Sequence, residues 1–285
     1  MASVNLKISF PIIFFLFWLS GTALGTTPEE YYNQGNRYLD EGMLDQAIEA
    51  FDNAVKLRDN YPHAWYNLGL AWSRKKDFEK EIECYLKALK YRPNYPKALY
   101  NLAIAYEDSN QIDKAMQTYS KTVQMEPNAV DAYINLGNLY ARKKQLDDAV
   151  AQYEAAIKLN PNIADAHYNL GVVYNSKGES DKEIESYQKA LEINPKYFKA
   201  WYNLGIAYSK KKMYDKEIEA YEKAYSIKKD YPPVLFNLAI AYEYKDKTKA
   251  IQYWKDYLNL AEKVPSESKY IPEAEKNLKR LEGSK

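Results

Sequence analysis

Pro62 to Tyr95 reads PHAWYNLGLAWSRKKDFEKEIECYLKALKYRPNY. The same plan recurs every 34 residues. Steps of that length from Trp65 meet Leu99, Tyr133, His167, Trp201 and Leu235, and one step back meets Tyr31. The same stride through Asn67 meets Asn33, Asn101, Asn135, Asn169, Asn203 and Asn237. Nothing breaks the register between Pro28 and Tyr231. A fixed period held this long predicts a stacked array rather than one globular domain.

Each copy divides into two helical patterns. Trp65, Leu68, Gly69 and Trp72 recur at helical spacing and form one apolar stripe. After the polar break Ser73-Arg74-Lys75-Lys76-Asp77, the residues Phe78, Ile82, Tyr85 and Leu89 form a second. Pro93 ends that helix, because proline cannot sit in a helix interior. Neither helix can bury its stripe alone, so each copy must lean on its neighbours.

These residues resemble the tetratricopeptide-repeat family, whose pattern is W-x2-L-G-x2-Y…A-x3-F…A…P. The fourth copy shows it as Tyr133, Leu136, Gly137, Tyr140, Ala149, Tyr153, Ala156 and Pro161. The sixth shows Trp201, Leu204, Gly205, Tyr208, Tyr221 and Ala224. The resemblance implies an all-α, right-handed superhelical solenoid of about seven helix-turn-helix repeats with a C-terminal capping helix. The copies span 28–61, 62–95, 96–129, 130–163, 164–197 and 198–231. A degenerate seventh covers 232–264, one residue short in its turn, and 265–285 holds the capping helix, expected from Pro272 to about Leu281. Proline suits a first helical turn, and an array needs a polar end.

Residues 1–25 read as a signal peptide: Lys7, the apolar run Ile8 to Leu19, then Ala23 and Gly25 placed for cleavage. The chain is expected to be exported, periplasmic or secreted, and to start at Thr26. The alternative is a membrane anchor at 8–24, although Pro11 and Ser20 interrupt a run already short for a span of ~20 residues. The single Cys84 can form no intrachain disulfide and is expected on the outer side of its helix. Forty basic and thirty-nine acidic side chains nearly cancel, and no basic stripe argues for nucleic acid.

Catalysis finds no footing. His63 lacks a partner at a recognisable spacing, and His167 falls at a packing position. No phosphate loop or metal-ligand cluster occurs, so no cofactor is expected. Gly69, Gly137, Gly171 and Gly205 are expected to face Ala or Glu of the second helix. Glu81, Glu183 and Glu217 stand where the family keeps a small residue and are expected to tilt to the surface, since a buried carboxylate is costly.

Numbering each copy from 1 and turning about 100° per residue puts positions 4, 7, 8 and 11 on one side of the first helix. Positions 2, 6, 9 and 13 fall on the other, which in this family lines the concave groove. Position 6 is the asparagine of all seven copies. Position 5, on the flank, carries Tyr32, Tyr66, Tyr100, Tyr168 and Tyr202. Asparagine is a poor helix former, so seven of them need a reason. The row resembles the peptide-gripping asparagine ladder in the tetratricopeptide region of O-linked N-acetylglucosamine transferase, without any catalytic domain. It implies that partners are other proteins, held as extended peptide segments. Two alternatives stay open: the amides bond only neighbouring helices, or the protein is a scaffold joining folded partners through its convex face or ends. The tyrosines replace the lysine with which co-chaperone repeats clamp a terminal carboxylate, so that mode is not expected.

Overall fold

The computed structural model describes residues 27–283; the expected signal segment and cleavage point lie outside them. No helix among the described residues is long and apolar enough to cross a membrane. Among the described residues fifteen α-helices follow one another: α1 (Pro28–Asp40), α2 (Leu44–Leu57), α3 (Pro62–Lys75), α4 (Phe78–Tyr91), α5 (Pro96–Asp108), α6 (Ile112–Met125), α7 (Val130–Arg142), α8 (Leu146–Leu159), α9 (Ala164–Lys177), α10 (Ser180–Ile193), α11 (Phe198–Lys210), α12 (Tyr214–Ile227), α13 (Pro232–Tyr242), α14 (Lys247–Ala261) and α15 (Ile271–Gly283). Odd and even helices pair into antiparallel hairpins, and each hairpin packs on the next to form a solenoid.

Local chemistry sets the turns. Position 15 takes a left-handed backbone at Gly42, Lys76, Asn110, Lys144, Gly178 and Lys212. The following N–H then reaches back to position 11, as in Asp77 to the Trp72 carbonyl at 3.1 Å and Gln111 to that of Tyr106 at 2.7 Å. This closes the first helix by the Schellman pattern. The seventh repeat lacks one residue here: α13 stops at Tyr242, and Asp246 has φ −152°. At position 4 the indole N–H of Trp65 and Trp201 donates to the Asp59 and Pro195 carbonyls, at 2.7 and 2.9 Å. His167, expected in the core, is half-buried and places Nε2 3.0 Å from the Pro161 carbonyl. These side chains tie each first helix to the loop before it.

Three expectations are corrected. The helical glycines face aromatic rings, not Ala or Glu: a Cβ on Gly69 would stand 2.6 Å from Tyr85, on Gly137 2.8 Å from Tyr153 and on Gly171 2.6 Å from Tyr187. The ring lies flat on the glycine, which lets the two helices of a hairpin close up. Gly171→Val is therefore expected to cost ~1–3 kcal/mol by overpacking, read from urea unfolding. Cys84 is buried, 4% exposed, because it lies not on an outer side but in the core of the first two repeats with Val55, Leu68 and Ala71; burial pushes its thiol pKa up to about 12. Glu81, Glu183 and Glu217 are buried as well, at 2%, 2% and 4% exposure. Their position places them under the end of the first helix, where short polar groups and one lysine cover them. At the C-terminus the linker 265–270 is a 3-10 turn, and α15 starts one residue before Pro272.

Candidate peptide-binding groove

The first helices bring the asparagines and tyrosines of the sequence pattern together, across repeat boundaries. Each amide nitrogen donates to the phenol of the preceding repeat: Asn67 to Tyr32 at 3.3 Å, Asn101 to Tyr66 at 3.0 Å, Asn135 to Tyr100 at 3.2 Å and Asn203 to Tyr168 at 3.2 Å. Burial raises the Tyr202 phenol pKa, and Asn237 stands close enough to lower it. In the fourth repeat position 5 is Ile134, which offers no oxygen. Asn169 of the fifth repeat donates to Asn138 of the fourth at 3.1 Å instead. Asn33 opens the row on an exposed surface with no repeat before it. Asn67 also reaches Asn36 Oδ1 at 2.6 Å, and Asn135 reaches the Tyr119 phenol at 3.2 Å.

The tyrosines are pinned rather than free. Tyr66 packs on Tyr85 and Tyr95, with centroids 5.8 and 5.0 Å away. Tyr168 packs on Tyr187 and Tyr197 at 5.8 and 4.9 Å. Burial holds the phenols of Tyr66, Tyr100, Tyr168 and Tyr202 above their ordinary pKa, and the asparagine bond opposes that in each. The amide is thus fixed in rotation by a half-buried partner. Its Oδ1 in Asn67, Asn101, Asn135, Asn169 and Asn203 accepts no hydrogen bond from the described residues, and these side chains are half-exposed. Position 9 adds a partly exposed apolar row beside them, with Val172 36% and Ile240 40% exposed.

A second series runs along the turns and was missed in the sequence. Lysine at position 14 meets aspartate at position 18 of the preceding repeat: Lys75–Asp45, Lys143–Asp113 and Lys177–Asp147, each 2.5 Å, with Lys211–Asp181 and Lys245–Asp215 alike. The signal was the 30-residue spacing of unlike charges, hidden inside a Lys-Glu-rich composition. Such exposed pairs contribute ~0–1 kcal/mol each and fix register more than stability. No group of three or more His, Cys, Asp or Glu among the described residues could hold a metal ion.

Four tetratricopeptide-repeat family models match the chain, at 32–98, 84–117, 198–231 and, for the TPR repeat model, 105–144, 137–178 and 173–212. Together they run from 32 to 231. The chain belongs to the tetratricopeptide-repeat family. No curated protein matches it in sequence. Among solved structures it is similar to MamA, with 33% identity, TM-score 0.55, and coverage of 57% of this chain and 95% of that one. It is similar to YrrB, described as a TPR protein with an unusual peptide-binding site, at 27% identity and TM-score 0.56, covering 60% of this chain and 88% of that one. The C-terminal part of a TPR repeat-containing protein from Cytophaga hutchinsonii shares the fold over 87% of this chain and 99% of its own, at 19% identity and TM-score 0.73. The class is a tetratricopeptide-repeat protein-interaction module.

Proposed function

We propose that the array is an exported module that holds an extended segment of a partner protein in its concave groove. The observation that carries this reading is the row of asparagines whose nitrogens are committed to the preceding repeat, to tyrosine in Asn67, Asn101, Asn135 and Asn203 and to Asn138 in Asn169. That commitment orients each Oδ1 in advance, so a peptide N–H meets a pre-organised acceptor. Neighbouring helices stand ~8–10 Å apart and an extended chain advances ~3.3–3.6 Å per residue, so each repeat matches about three residues of peptide. A fully engaged segment is on the order of 16–20 residues by the same arithmetic. Backbone bonding makes the sequence preference broad, with the position-9 row adding shallow apolar pockets. The peptide-binding description of YrrB supports the reading by analogy with that protein.

The amides also tie repeats together, so the test must separate the two roles. One variant carries Asn101→Ala, Asn135→Ala and Asn169→Ala. The other carries Tyr66→Phe, Tyr100→Phe and Tyr168→Phe, which removes hydroxyls and leaves the amides. Each lost bond costs ~0.5–1.5 kcal/mol, so both triples should unfold at lower urea with unchanged helicity. The asparagine triple should lose peptide affinity at least tenfold by calorimetry against 18-residue peptides; the tyrosine triple, which keeps the acceptors but frees their rotation, should lose clearly less. If both triples keep wild-type affinity, the amides serve the array alone. Export is tested separately, by sequencing the exported protein: Thr26 is the expected first residue.

A further inference from the structure

The turn end of the groove has a notch between each repeat and the next, and its contents change along the array. Position 13 of one repeat comes over positions 12 and 20 of the repeat before. Between the first two repeats, Arg74 Nη1 donates to the Leu39 carbonyl at 2.6 Å. Between the third and fourth, Arg142 meets Glu107 at 3.5 Å. Between the fifth and sixth, Lys210 Nζ lies 2.6 Å from Asn175 Oδ1 and 3.7 Å from Glu183 Oε1. In all three a cation of the protein's own closes the notch, and in the last it answers a buried glutamate.

Two notches have the glutamate without that lysine: Glu81, near Asp108, between the second and third repeats, and Glu217 between the sixth and seventh, where the notch is open. Glu217 is 4% exposed at position 20, and Tyr244 stands at position 13, 96% exposed. The cause is local. Helix α13 stops at Tyr242, so Tyr244 belongs to the shortened turn and its side chain leaves the notch. A cavity of about 670 Å³ results, lined by Ile218, Ile240 and Ala241, with Ser209, Glu217 and Tyr244 beside them. Lys245 also reaches its edge but is engaged with Asp215 in the turn series. Burial holds the Glu217 carboxyl above the usual range, opposed in part by a hydrogen bond with Ser209.

We propose that this notch receives a lysine or arginine side chain of the bound segment, with Glu217 as its counter-ion. This rests on the groove reading above. Lys210 in the adjoining notch shows the fit with a side chain of the protein itself. The guest's aliphatic stem lies along Ile218 and Ile240, its charge meets Glu217, and the Tyr244 ring is free to cover it. A neutral apolar guest would seal the carboxylate from water without a partner, and an acidic guest would repel it. A basic guest supplies the counter-charge that this carboxylate lacks and favours its ionised form.

The experiment uses two 18-residue alanine-serine peptides, one with a lysine near each end, so that either chain direction brings one to the notch, and one with norleucine at both places, titrated by fluorescence anisotropy. The wild-type protein should bind the lysine peptide at least fivefold more tightly. Glu217→Gln, which keeps the shape and removes the charge, should erase the difference while binding the norleucine peptide as before. Circular dichroism establishes that the variant is folded. Equal binding of both peptides to the wild type overturns the proposal and leaves the groove reading standing. A lysine preference that survives in Glu217→Gln also overturns it, because the charge is then read elsewhere. Binding of neither peptide overturns both.

Discussion

Replacing Trp254 by alanine is expected to cost ~3–5 kcal/mol, the range for truncating a fully buried large side chain. Trp254 is 0% exposed. It packs edge-on against Phe236 and Tyr257, at 5.0 and 6.2 Å between centroids. Its indole N–H donates to Glu243 at 3.2 Å, and Glu243 also holds Arg280 of the capping helix. Ala274 and Leu281 of α15 close the same cluster. The substitution therefore opens a cavity and loosens the cap together. In a quasi-linear array each repeat touches only its neighbours, so damage should stay near its origin. Hydrogen exchange should accelerate most in α11 to α15 and least in α1 to α4. Trp201→Ala is the comparison: Trp201 is half-buried, so ~1–3 kcal/mol is expected. Equal loss of protection along all helices in the Trp254 variant would contradict a local response.

The array was legible in the sequence because each repeat must solve one packing problem with one set of positions. Leu68, Leu102, Leu136, Leu170, Leu204 and Leu238 are all buried for that reason. The linkage between repeats was harder to read. The Asn–Tyr bond spans 35 residues, one more than the period, so it belongs to no single copy. A clue lay at Ile134, where the phenol is missing and Asn138 takes its place as acceptor. The buried glutamates were misread through a sound rule applied too early. Carboxylates avoid the interior, but position 20 is covered by the helix above whatever residue stands there. The glycines mark a close approach of the two helices, but against the aromatic ring at position 24 rather than the Ala or Glu expected at position 20.

Glu81→Gln is expected to stabilise the protein above neutral pH and to leave it unchanged in acid. Glu81 is 2% exposed, and its Oε2 has no hydrogen-bond partner. Burial, mainly, raises its pKa from 4.5 to about 7; a Ser73 hydrogen bond opposes this and the charge of Asp108 adds to it. Below about pH 4.5 the carboxyl is protonated folded and unfolded, and it contributes no difference. As pH rises from there, the unfolded chain ionises first while the folded one keeps its proton. Stability falls through this window and levels off once pH passes about 7. The whole fall is on the order of 2–3 kcal/mol, at about 1.4 kcal/mol per pKa unit with some relaxation of the site. Glutamine has the same shape and does not titrate, so its variant should lack this part of the slope. Urea unfolding at pH 4 and pH 8 reads both ends. The gain at pH 8 should approach the full fall, and the two proteins should agree near pH 4. Glu183→Gln should gain much less, because Lys210 already answers that carboxylate and would be left without it. A Glu81→Gln variant that follows the wild-type stability across this range would show that the carboxylate reaches water, and that its burial does not govern its charge.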